Sequence, residues 1–256
     1  MLKEKFNLTD KVAFIVGSAR GIGTAYAQGL AEYGAKIVIA DINFEGAKKT
    51  ALEIKSDFNI ETLPLKIDVT SSKSIKVAIN NTLKHFGKLD IAINNAGVGS
   101  TENAEEITDK KWDWLMSVNL KGVFMCCREE GKVMIKNRSG VIINTASMSA
   151  SIVNIPQNQT LYNTSKAGVL TLTKCLAAEW TKYNIRVNCI SPGYMSTEMN
   201  MREPVRKLHK AWCDLTPMKR LGDVDELKGA LVYLASNAST FTTGLNLIVD
   251  GGYVLW

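Results

Sequence analysis

The stretch KVAFIVGSARGIG, residues 11–23, joins an apolar run to a glycine-rich turn and then to the start of a helical pattern. Glycines in such a turn let backbone N–H groups approach a pyrophosphate at a helix N-terminus. Asp41 follows Gly21 by twenty residues and ends the next apolar run, where a carboxylate can accept hydrogen bonds from adenosine ribose hydroxyls. The stretch therefore predicts a dinucleotide-binding unit. Asp41 favours NAD because it would repel the extra phosphate of NADP, whereas Arg20 beside the turn argues mildly for NADP.

Short apolar runs alternate with longer helical patterns along the whole chain. The strand-like runs cover residues 11–17, 35–41, 62–68, 89–95, 140–147, 185–191 and 245–251. The helical patterns cover residues 21–34, 44–57, 71–86, 109–136, 161–182 and 223–236. Nearly continuous apolar strands are typical of a sheet that is covered on both faces. The sequence therefore predicts an α/β fold with one domain over residues 1–256, in which helices cover both faces of a doubly wound parallel sheet of about seven strands.

A long connection over residues 193–221 interrupts this alternation. It is longer than most connections between a strand and a helix, and it carries a short helical pattern of its own. Long connections of this kind are often lids over a site, but they can also be surface segments that only pack. Both interpretations stay open from the sequence.

Composition excludes several other classes of protein. The 256 residues are 46% hydrophobic and 22% charged, as in ordinary globular proteins, and the net charge of +6 is spread along the chain rather than gathered for nucleic acid. No apolar run is long enough for a signal peptide or a membrane span, so we expect a cytoplasmic protein. Five Cys without a C-x-x-C pair and only two His predict neither a disulfide framework nor a metal site.

Tyr162 and Lys166 lie four positions apart in a helical pattern, so their side chains share one helix face. A cation beside a phenol makes the phenolic proton easier to lose, which is what a tyrosine needs to act as a general acid or base near neutral pH. The alternative is a surface pair that lines up by chance. The spacing alone does not decide between them.

Further motifs occur in a fixed order around this pair: NNAG at residues 94–97, Asn119 within SVNLKG, Ser147 at the end of the fifth strand, and SPGYMST at 191–197. Together with the glycine turn they resemble the short-chain dehydrogenase/reductase family, from about residue 8 to the C-terminus. The resemblance implies a Rossmann fold and hydride transfer between a nicotinamide and a carbinol carbon. It also implies the roles of four residues: Tyr162 transfers the proton, Lys166 holds the nicotinamide ribose, Ser147 binds the substrate oxygen, and Asn119 positions a water.

The same resemblance implies which residues contact the cofactor. They are Gly17, Arg20, Gly21, Ile22, Gly23, Asp41, Asp68, Val69, Asn95, Ala96, Gly97, Tyr162, Lys166, Pro192, Gly193, Met195 and Thr197. Asp68 is expected at the adenine ring, and Met195 and Thr197 at the nicotinamide carboxamide. Two departures stand out: Val16 replaces the usual Thr before the first glycine, and the interval from Ser147 to Tyr162 is slightly long.

That interval, SASIVNIPQNQTLYN, is rich in amides and is expected to line the substrate pocket. Amides and hydroxyls suit a substrate with several hydroxyl groups, although the same residues could simply face water. The predicted substrate contacts are Ser147, Ser149, Asn154, Gln159 and Tyr162.

Stretches such as YNTSKAGV and AWCDLTPMKRLGD resemble the sugar-alcohol branch of the family, with its arabinitol, sorbose and mannitol enzymes. This implies interconversion of an acyclic polyol and a ketose. A sugar acid such as gluconate, or a 3-oxoacyl thioester, is the alternative substrate. A non-catalytic dinucleotide sensor is the alternative from another class.

Surplus apolar surface predicts a subunit interface. The helical patterns at 109–136 and 161–182 are apolar nearly all round, whereas a surface helix shows one apolar stripe. The family resemblance implies a homotetramer, and the terminal Trp256 is expected to pack against a neighbouring subunit.

Overall fold

Seven parallel strands form one sheet in the computed structural model, which describes residues 1–203 and 205–255. Their order across the sheet is β3-β2-β1-β4-β5-β6-β7. The strands are β1 Val12–Val16, β2 Lys36–Asp41, β3 Thr62–Lys66, β4 Ile91–Asn94, β5 Gly140–Thr145, β6 Ile185–Pro192 and β7 Asn246–Val249. The chain order reverses between β1 and β4, and in open α/β sheets ligands bind at the carboxyl ends of the strands beside such a reversal. The predicted fold class is confirmed.

Helices cover both faces of the sheet, as predicted. They are α1 Gly21–Glu32, α2 Phe44–Phe58, α3 Ser72–Phe86, α4 Asp109–Met116, α5 Val123–Asn137, α6 Thr160–Trp180, α7 Glu198–Met201, α8 His209–Leu215 and α9 Lys228–Ala235. Alternate residues of β1 belong to two separate cores: Phe14 packs with residues of α3, α5 and α6, and Ile15 packs with residues of α1, α2 and α9. No helix in the described ranges is long and apolar enough to cross a membrane.

One predicted helix is wrong in its continuity. The pattern at 109–136 is divided into α4 and α5 by a π-helical segment, Ser117–Gly122, which places the buried Asn119 near its middle. A π-helical segment widens the helix by one residue per turn and occurs often at functional sites. The hydrophobic pattern continues through the segment, so periodicity alone could not reveal it.

The register of the central strands gathers three predicted site residues at one edge. Val16 of β1 pairs with Ala40 of β2 on one side and with Asn94 of β4 on the other. The next residues along each strand, Gly17, Asp41 and Asn95, therefore emerge together at the carboxyl edge. The predicted dinucleotide turn thus stands at the reversal of strand order.

Candidate active site

The glycine turn lies directly against the end of β4. Gly17 has a φ of +76°, and a Cβ on it would lie 2.6 Å from the backbone nitrogen of Ala96. The Nδ2 atom of Asn95 donates a hydrogen bond to the Gly17 carbonyl oxygen at 2.8 Å. A Cβ on Gly23 would lie 2.0 Å from that same oxygen, so the turn also touches the first turn of α1. The glycines therefore permit a close backbone cradle at the N-terminus of α1, as the sequence predicts.

Asp41 is held at the end of β2 by main-chain donors. Its Oδ2 accepts a hydrogen bond from the Ala19 nitrogen at 3.0 Å, and its Oδ1 accepts one from the Asn43 nitrogen at 2.9 Å. The carboxylate is thus fixed beside the glycine turn. The Arg20 Nη1 lies 3.7 Å from the Oε2 of Glu198 on α7, and both side chains are mostly exposed.

Tyr162 and Lys166 lie on the same face of α6, as their spacing predicts. The Lys166 Nζ lies 5.7 Å from the centre of the Tyr162 ring and donates a hydrogen bond to the Thr145 carbonyl oxygen at 2.8 Å. Lys166 is only 3% exposed, and this burial lowers the pKa of its ammonium to about 8. Lys166 is therefore buried against the carboxyl end of β5, and the two residues are not a chance pair on the surface.

The chain by itself does not make the Tyr162 proton easier to lose. Burial raises the pKa of the phenol above its ordinary value, and a hydrogen bond with Ser147 only partly opposes the rise. In the chain without its cofactor, desolvation of the phenolate is therefore the larger effect. The expectation that Lys166 and the nicotinamide ring together supply the positive charge stays a prediction.

Asn119 braces three elements. Its Oδ1 accepts a hydrogen bond from the Val98 nitrogen at 2.8 Å, and its Nδ2 donates to the Val98 carbonyl oxygen at 2.9 Å and to the Ser165 hydroxyl at 3.2 Å. A Cβ on Gly97 would lie 3.5 Å from the Asn119 Oδ1 and 3.6 Å from the Lys166 Nζ. The π-helical segment, the end of β4 and α6 therefore converge here.

The remaining predicted cofactor residues lie around the same edge, but several side chains have protein partners. The Asp68 carboxylate accepts hydrogen bonds from the nitrogen and hydroxyl of Thr70 at 2.9 and 2.7 Å. The Thr197 hydroxyl accepts from the Asn200 nitrogen at 3.3 Å and so caps α7, while Met195 is buried. Cofactor contacts by these side chains stay predictions.

Two further predicted cofactor residues, Pro192 and Gly193, lie at the end of β6. Pro192 ends this strand, and the Gly193 nitrogen donates to the Val249 carbonyl oxygen of β7 at 2.9 Å. Val69 is buried, and a Cβ on Gly122 would lie 3.0 Å from its Cγ2. Gly21 and Ile22 begin α1 beside the turn.

Three aromatic residues that the sequence did not single out contact the amide-rich connection before Tyr162. The Tyr194 hydroxyl accepts hydrogen bonds from the Asn154 Nδ2 and the Gln157 Nε2, each at 2.7 Å. The Tyr194 ring stacks on Trp212 of α8 with centroids 3.9 Å apart and an interplanar angle of 4°. Tyr253 meets Tyr194 edge-on at 5.3 Å. Trp212 shows that the segment 193–221 is docked onto the amide-rich connection before Tyr162.

The other polar residues of that connection have different surroundings. Ser149 is buried, and its nitrogen donates to the Ser147 hydroxyl at 3.2 Å. Gln159 accepts a hydrogen bond from the Gln157 Nε2 at 3.4 Å. Asn158 is exposed and donates to the Asn103 side chain at 2.7 Å.

Comparison with known proteins decides the family. The family model described as enoyl-(acyl carrier protein) reductase matches residues 16–254. The chain belongs to the short-chain dehydrogenase/reductase family. It is similar to sorbose reductase of Candida albicans, with 42% identity over 251 residues that cover 97% of this chain and 88% of the relative. An NADP-dependent mannitol dehydrogenase of Alternaria alternata is 38% identical over 255 residues, covering 98% and 95% of the two chains.

Solved structures agree with this assignment. A short-chain type dehydrogenase/reductase from Mycobacterium marinum superposes with a TM-score of 0.96 at 36% identity, covering 99% of each chain. The protein is therefore an oxidoreductase of this family, which acts on CH–OH groups with a nicotinamide cofactor.

The residues of this dehydrogenase fit that cofactor. The backbone cradle at Gly17, the fixed carboxylate of Asp41 and the space that Gly97 leaves open beside Lys166 follow one another along the carboxyl edge of the sheet. Within residues 1–203 and 205–255, no group of three or more His, Cys, Asp or Glu is placed to hold a metal ion.

The sequence did not identify Tyr194, Trp212 and Tyr253 as contacts of the amide-rich connection. Tyr194 directly follows the SPG motif at residues 191–193, and this position in the sequence could have indicated its importance. Trp212 and Tyr253 carry no local signal, because their role depends on contacts with residues 55 and 98 positions away in the chain.

Proposed function

We propose that this dehydrogenase interconverts a secondary alcohol of an acyclic polyol and the corresponding ketose. The observation that carries the proposal is a polar cluster on the connection that leads to Tyr162, where the amides of Asn154 and Gln157 meet the Tyr194 hydroxyl. Such groups donate to and accept from substrate hydroxyls, whereas an acyl chain calls for an apolar wall. The names of the Candida and Alternaria relatives, a sorbose reductase and a mannitol dehydrogenase, support the same substrate class.

Four residues would carry the chemistry. In oxidation, Tyr162 takes the proton of the substrate hydroxyl as the carbon loses its hydride, and Ser147 holds the substrate oxygen. A bound nicotinamide supplies the hydride acceptor and a positive ring. Lys166 keeps two of its three N–H donors for the cofactor ribose, since Thr145 accepts one. Asn119 positions the water through which the proton reaches solvent.

We propose NAD as the preferred cofactor. Asp41 is fixed where the adenosine ribose would bind, and a carboxylate there accepts ribose hydroxyls but repels a 2′-phosphate. Arg20, the residue that could attract that phosphate, lies 3.7 Å from the Glu198 carboxylate, which partly offsets its charge. The Alternaria relative is named as NADP-dependent. A preference for NAD would therefore distinguish this chain from that relative.

A substrate and cofactor panel tests these proposals. Initial rates are measured with pentitols, hexitols, gluconate and a 3-oxoacyl thioester, each with NAD or NADP. Turnover of polyols with NAD and none of gluconate or thioester supports the proposal, and the reverse pattern overturns it.

Replacement of Tyr162 tests the mechanism separately. Tyr162→Phe removes the proton-transfer group but keeps the ring, so turnover should fall by about 10²-fold or more while NADH binding, followed by fluorescence, is retained. Undiminished turnover would refute the role assigned to Tyr162, whereas NADH binding without turnover in the wild type would favour the dinucleotide sensor.

We propose a cytoplasmic homotetramer. The exposed fractions of Trp112, Trp114 and Phe124 are 40%, 44% and 42%, which is unusual for large apolar side chains and fits an interface on α4 and α5. Sedimentation equilibrium tests the assembly. The expected contact of Trp256 with a neighbouring subunit lies outside the described residues.

A further inference from the structure

Ser165 is a fully buried serine of α6 that the sequence did not single out. It lies three residues after Tyr162 and directly before Lys166. Its hydroxyl donates a hydrogen bond to the Tyr162 carbonyl oxygen at 2.7 Å and accepts one from the Asn119 Nδ2 at 3.2 Å. One oxygen atom thus joins the helical turn that carries Tyr162 to the side chain of Asn119. The mechanism proposed above gives Ser165 no role.

The neighbours of Ser165 determine the direction of each hydrogen bond. A main-chain carbonyl only accepts, so the single proton of the Ser165 hydroxyl goes to Tyr162 and its oxygen is left to accept from Asn119. The contacts with Val98 agree, because the Val98 nitrogen donates to the Asn119 Oδ1 and the Val98 carbonyl oxygen accepts from the Nδ2. The Asn119 amide therefore has one orientation, in which its oxygen and both of its N–H groups are used.

A hydroxyl bonded to the preceding turn is common on helices and is not by itself a sign of function. Thr164, the residue before Ser165, makes such a bond to the Thr160 carbonyl oxygen at 2.8 Å, and Thr164 is exposed. Ser165 differs because its oxygen also accepts from another element. In the described part of the chain, the other hydrogen bonds of the Asn119 side chain go to Val98, which follows β4. The Ser165 hydroxyl thus ties Asn119 to α6.

Asn119 and Lys166 border the same open space beside Gly97. A Cβ on Gly97 would lie 3.5 Å from the Asn119 Oδ1 and 3.6 Å from the Lys166 Nζ. The Asn119 side chain must keep its place relative to α6 if this space is to hold the water that the proposed proton path requires. A displacement of about 1 Å within a reacting arrangement can reduce the rate about 100-fold. The tie between Asn119 and α6 therefore bears on the chemistry.

We propose that Ser165 is a positioning residue for proton transfer, which fixes Asn119 and the helical turn of Tyr162 relative to each other. Ser165 does not itself exchange the proton. Removal of its hydroxyl leaves one N–H group of Asn119 buried without its acceptor, and the amide is then no longer held to α6. This inference rests on the role proposed for Asn119.

A double-mutant cycle tests whether Ser165 acts through Asn119. Initial rates with the best polyol of the panel are measured for Ser165→Ala, Asn119→Leu and the double variant at saturating cofactor. Ser165→Ala should lower kcat about 10-fold and leave the affinity for NADH, measured by fluorescence titration, within about 2-fold of the wild type. With Asn119 already replaced, the same change should cost less than about 2-fold, because residues that act through one another are not additive.

Thr164→Ala is the matched control, because it removes a hydroxyl from the same helical turn whose hydrogen bond stays within α6. Its kcat should equal that of the wild type. Ser165→Cys keeps a similar size with a weaker donor and acceptor, so its loss should be smaller than that of Ser165→Ala. Fluorescence titration with NADH shows whether each variant is folded, and Ser165→Cys takes the place of Ser165→Ala in the cycle if the latter does not fold.

Three outcomes would contradict the reasoning at different points. Undiminished kcat in Ser165→Ala, or losses that multiply in the double variant, would overturn the inference while the role of Asn119 stands. Undiminished kcat in Asn119→Leu would overturn that role and the inference with it. A wild-type enzyme that turns over no polyol would overturn the proposed substrate class instead, and the cycle would then be run with the substrate that the panel identifies.

Discussion

Replacing Glu130 by Gln is expected to increase the stability of the protein at neutral and alkaline pH. Glu130 of α5 is fully buried. Its Oε2 accepts a hydrogen bond from the Asn94 Nδ2 at 3.0 Å, and its Oε1 has no donor among the described residues. The cluster around it brings Asn94 of β4, Asn144 of β5 and Cys127 of its own helix together, without a cation. A carboxylate here would be charged, buried and unpaired.

The magnitude follows from the change in pKa. Burial raises the pKa of Glu130 from 4.5 to about 8, and the hydrogen bond from Asn94 only partly opposes the rise. Between these two values the folded chain binds a proton that the unfolded chain has released, so stability falls as pH rises through this window. The loss is about 3 kcal/mol at pH 7 and about 5 kcal/mol above pH 8, from 1.36 kcal/mol per pH unit.

Urea denaturation of the wild type and of Glu130→Gln at pH 5, 7 and 9 measures this effect. Gln keeps the shape of the side chain but cannot ionise, so its advantage in free energy of unfolding should grow with pH. Comparing two proteins at each pH cancels the titration of all other groups. A constant difference from pH 5 to pH 9 would refute the reasoning.

Glu129, the preceding residue of α5, is the matched control. Its carboxylate accepts hydrogen bonds from the Lys132 Nζ and the Arg128 Nε, each at 3.0 Å. Burial raises its pKa, but these hydrogen bonds outweigh burial and the net pKa is lowered. Its stabilisation is present above the ordinary pKa and is lost as pH falls, so Glu129→Gln should lower stability at pH 7. At pH 7, Glu130→Gln should thus raise the free energy of unfolding, and Glu129→Gln should lower it.

Two replacements test the cofactor edge. Gly17→Ala puts a Cβ 2.6 Å from the Ala96 nitrogen at a φ of +76°, so the turn must move. We expect a loss of stability of about 1–3 kcal/mol by urea denaturation and weaker NADH binding by fluorescence titration, and unchanged binding would contradict the cradle. Asp41→Ser removes the charge that repels a 2′-phosphate, so the ratio of kcat/KM for NADP to that for NAD should rise about 10-fold or more. Asp57→Ser, an exposed change on α2, should leave that ratio unaltered.

Much of the fold could be predicted because its strands are buried on both faces. All five residues of β1 are buried, and such a run is visible as an apolar stretch between turn signals. The break in the helix at Ser117–Gly122 could not be predicted, because a π-helical turn changes the hydrogen-bond partner of each N–H and not the kind of residue. The side-chain hydrogen bonds of Asn119 with Val98 and Ser165 are made from within that segment.

The catalytic set was predictable from its order, but its electrostatics were not. Spacing shows that Tyr162 and Lys166 share a face, yet the pKa of each depends on how much protein covers it. Burial raises the pKa of the Tyr162 phenol and lowers that of the Lys166 ammonium to about 8, and both changes favour the neutral forms. Burial arises from residues remote in sequence.

The catalytic side chains are held by main-chain groups, which explains why the motifs were predictable and the geometry was not. Lys166 is held by the carbonyl oxygen of Thr145, and Asn119 by the nitrogen and carbonyl oxygen of Val98. Nearly every residue type carries these main-chain groups. The identities of residues 145 and 98 therefore do not indicate that they hold a catalytic side chain. Motifs in sequence therefore reveal the groups that react. The strand ends that orient them become visible only when parallel strands place their last carbonyl and N–H groups along one edge.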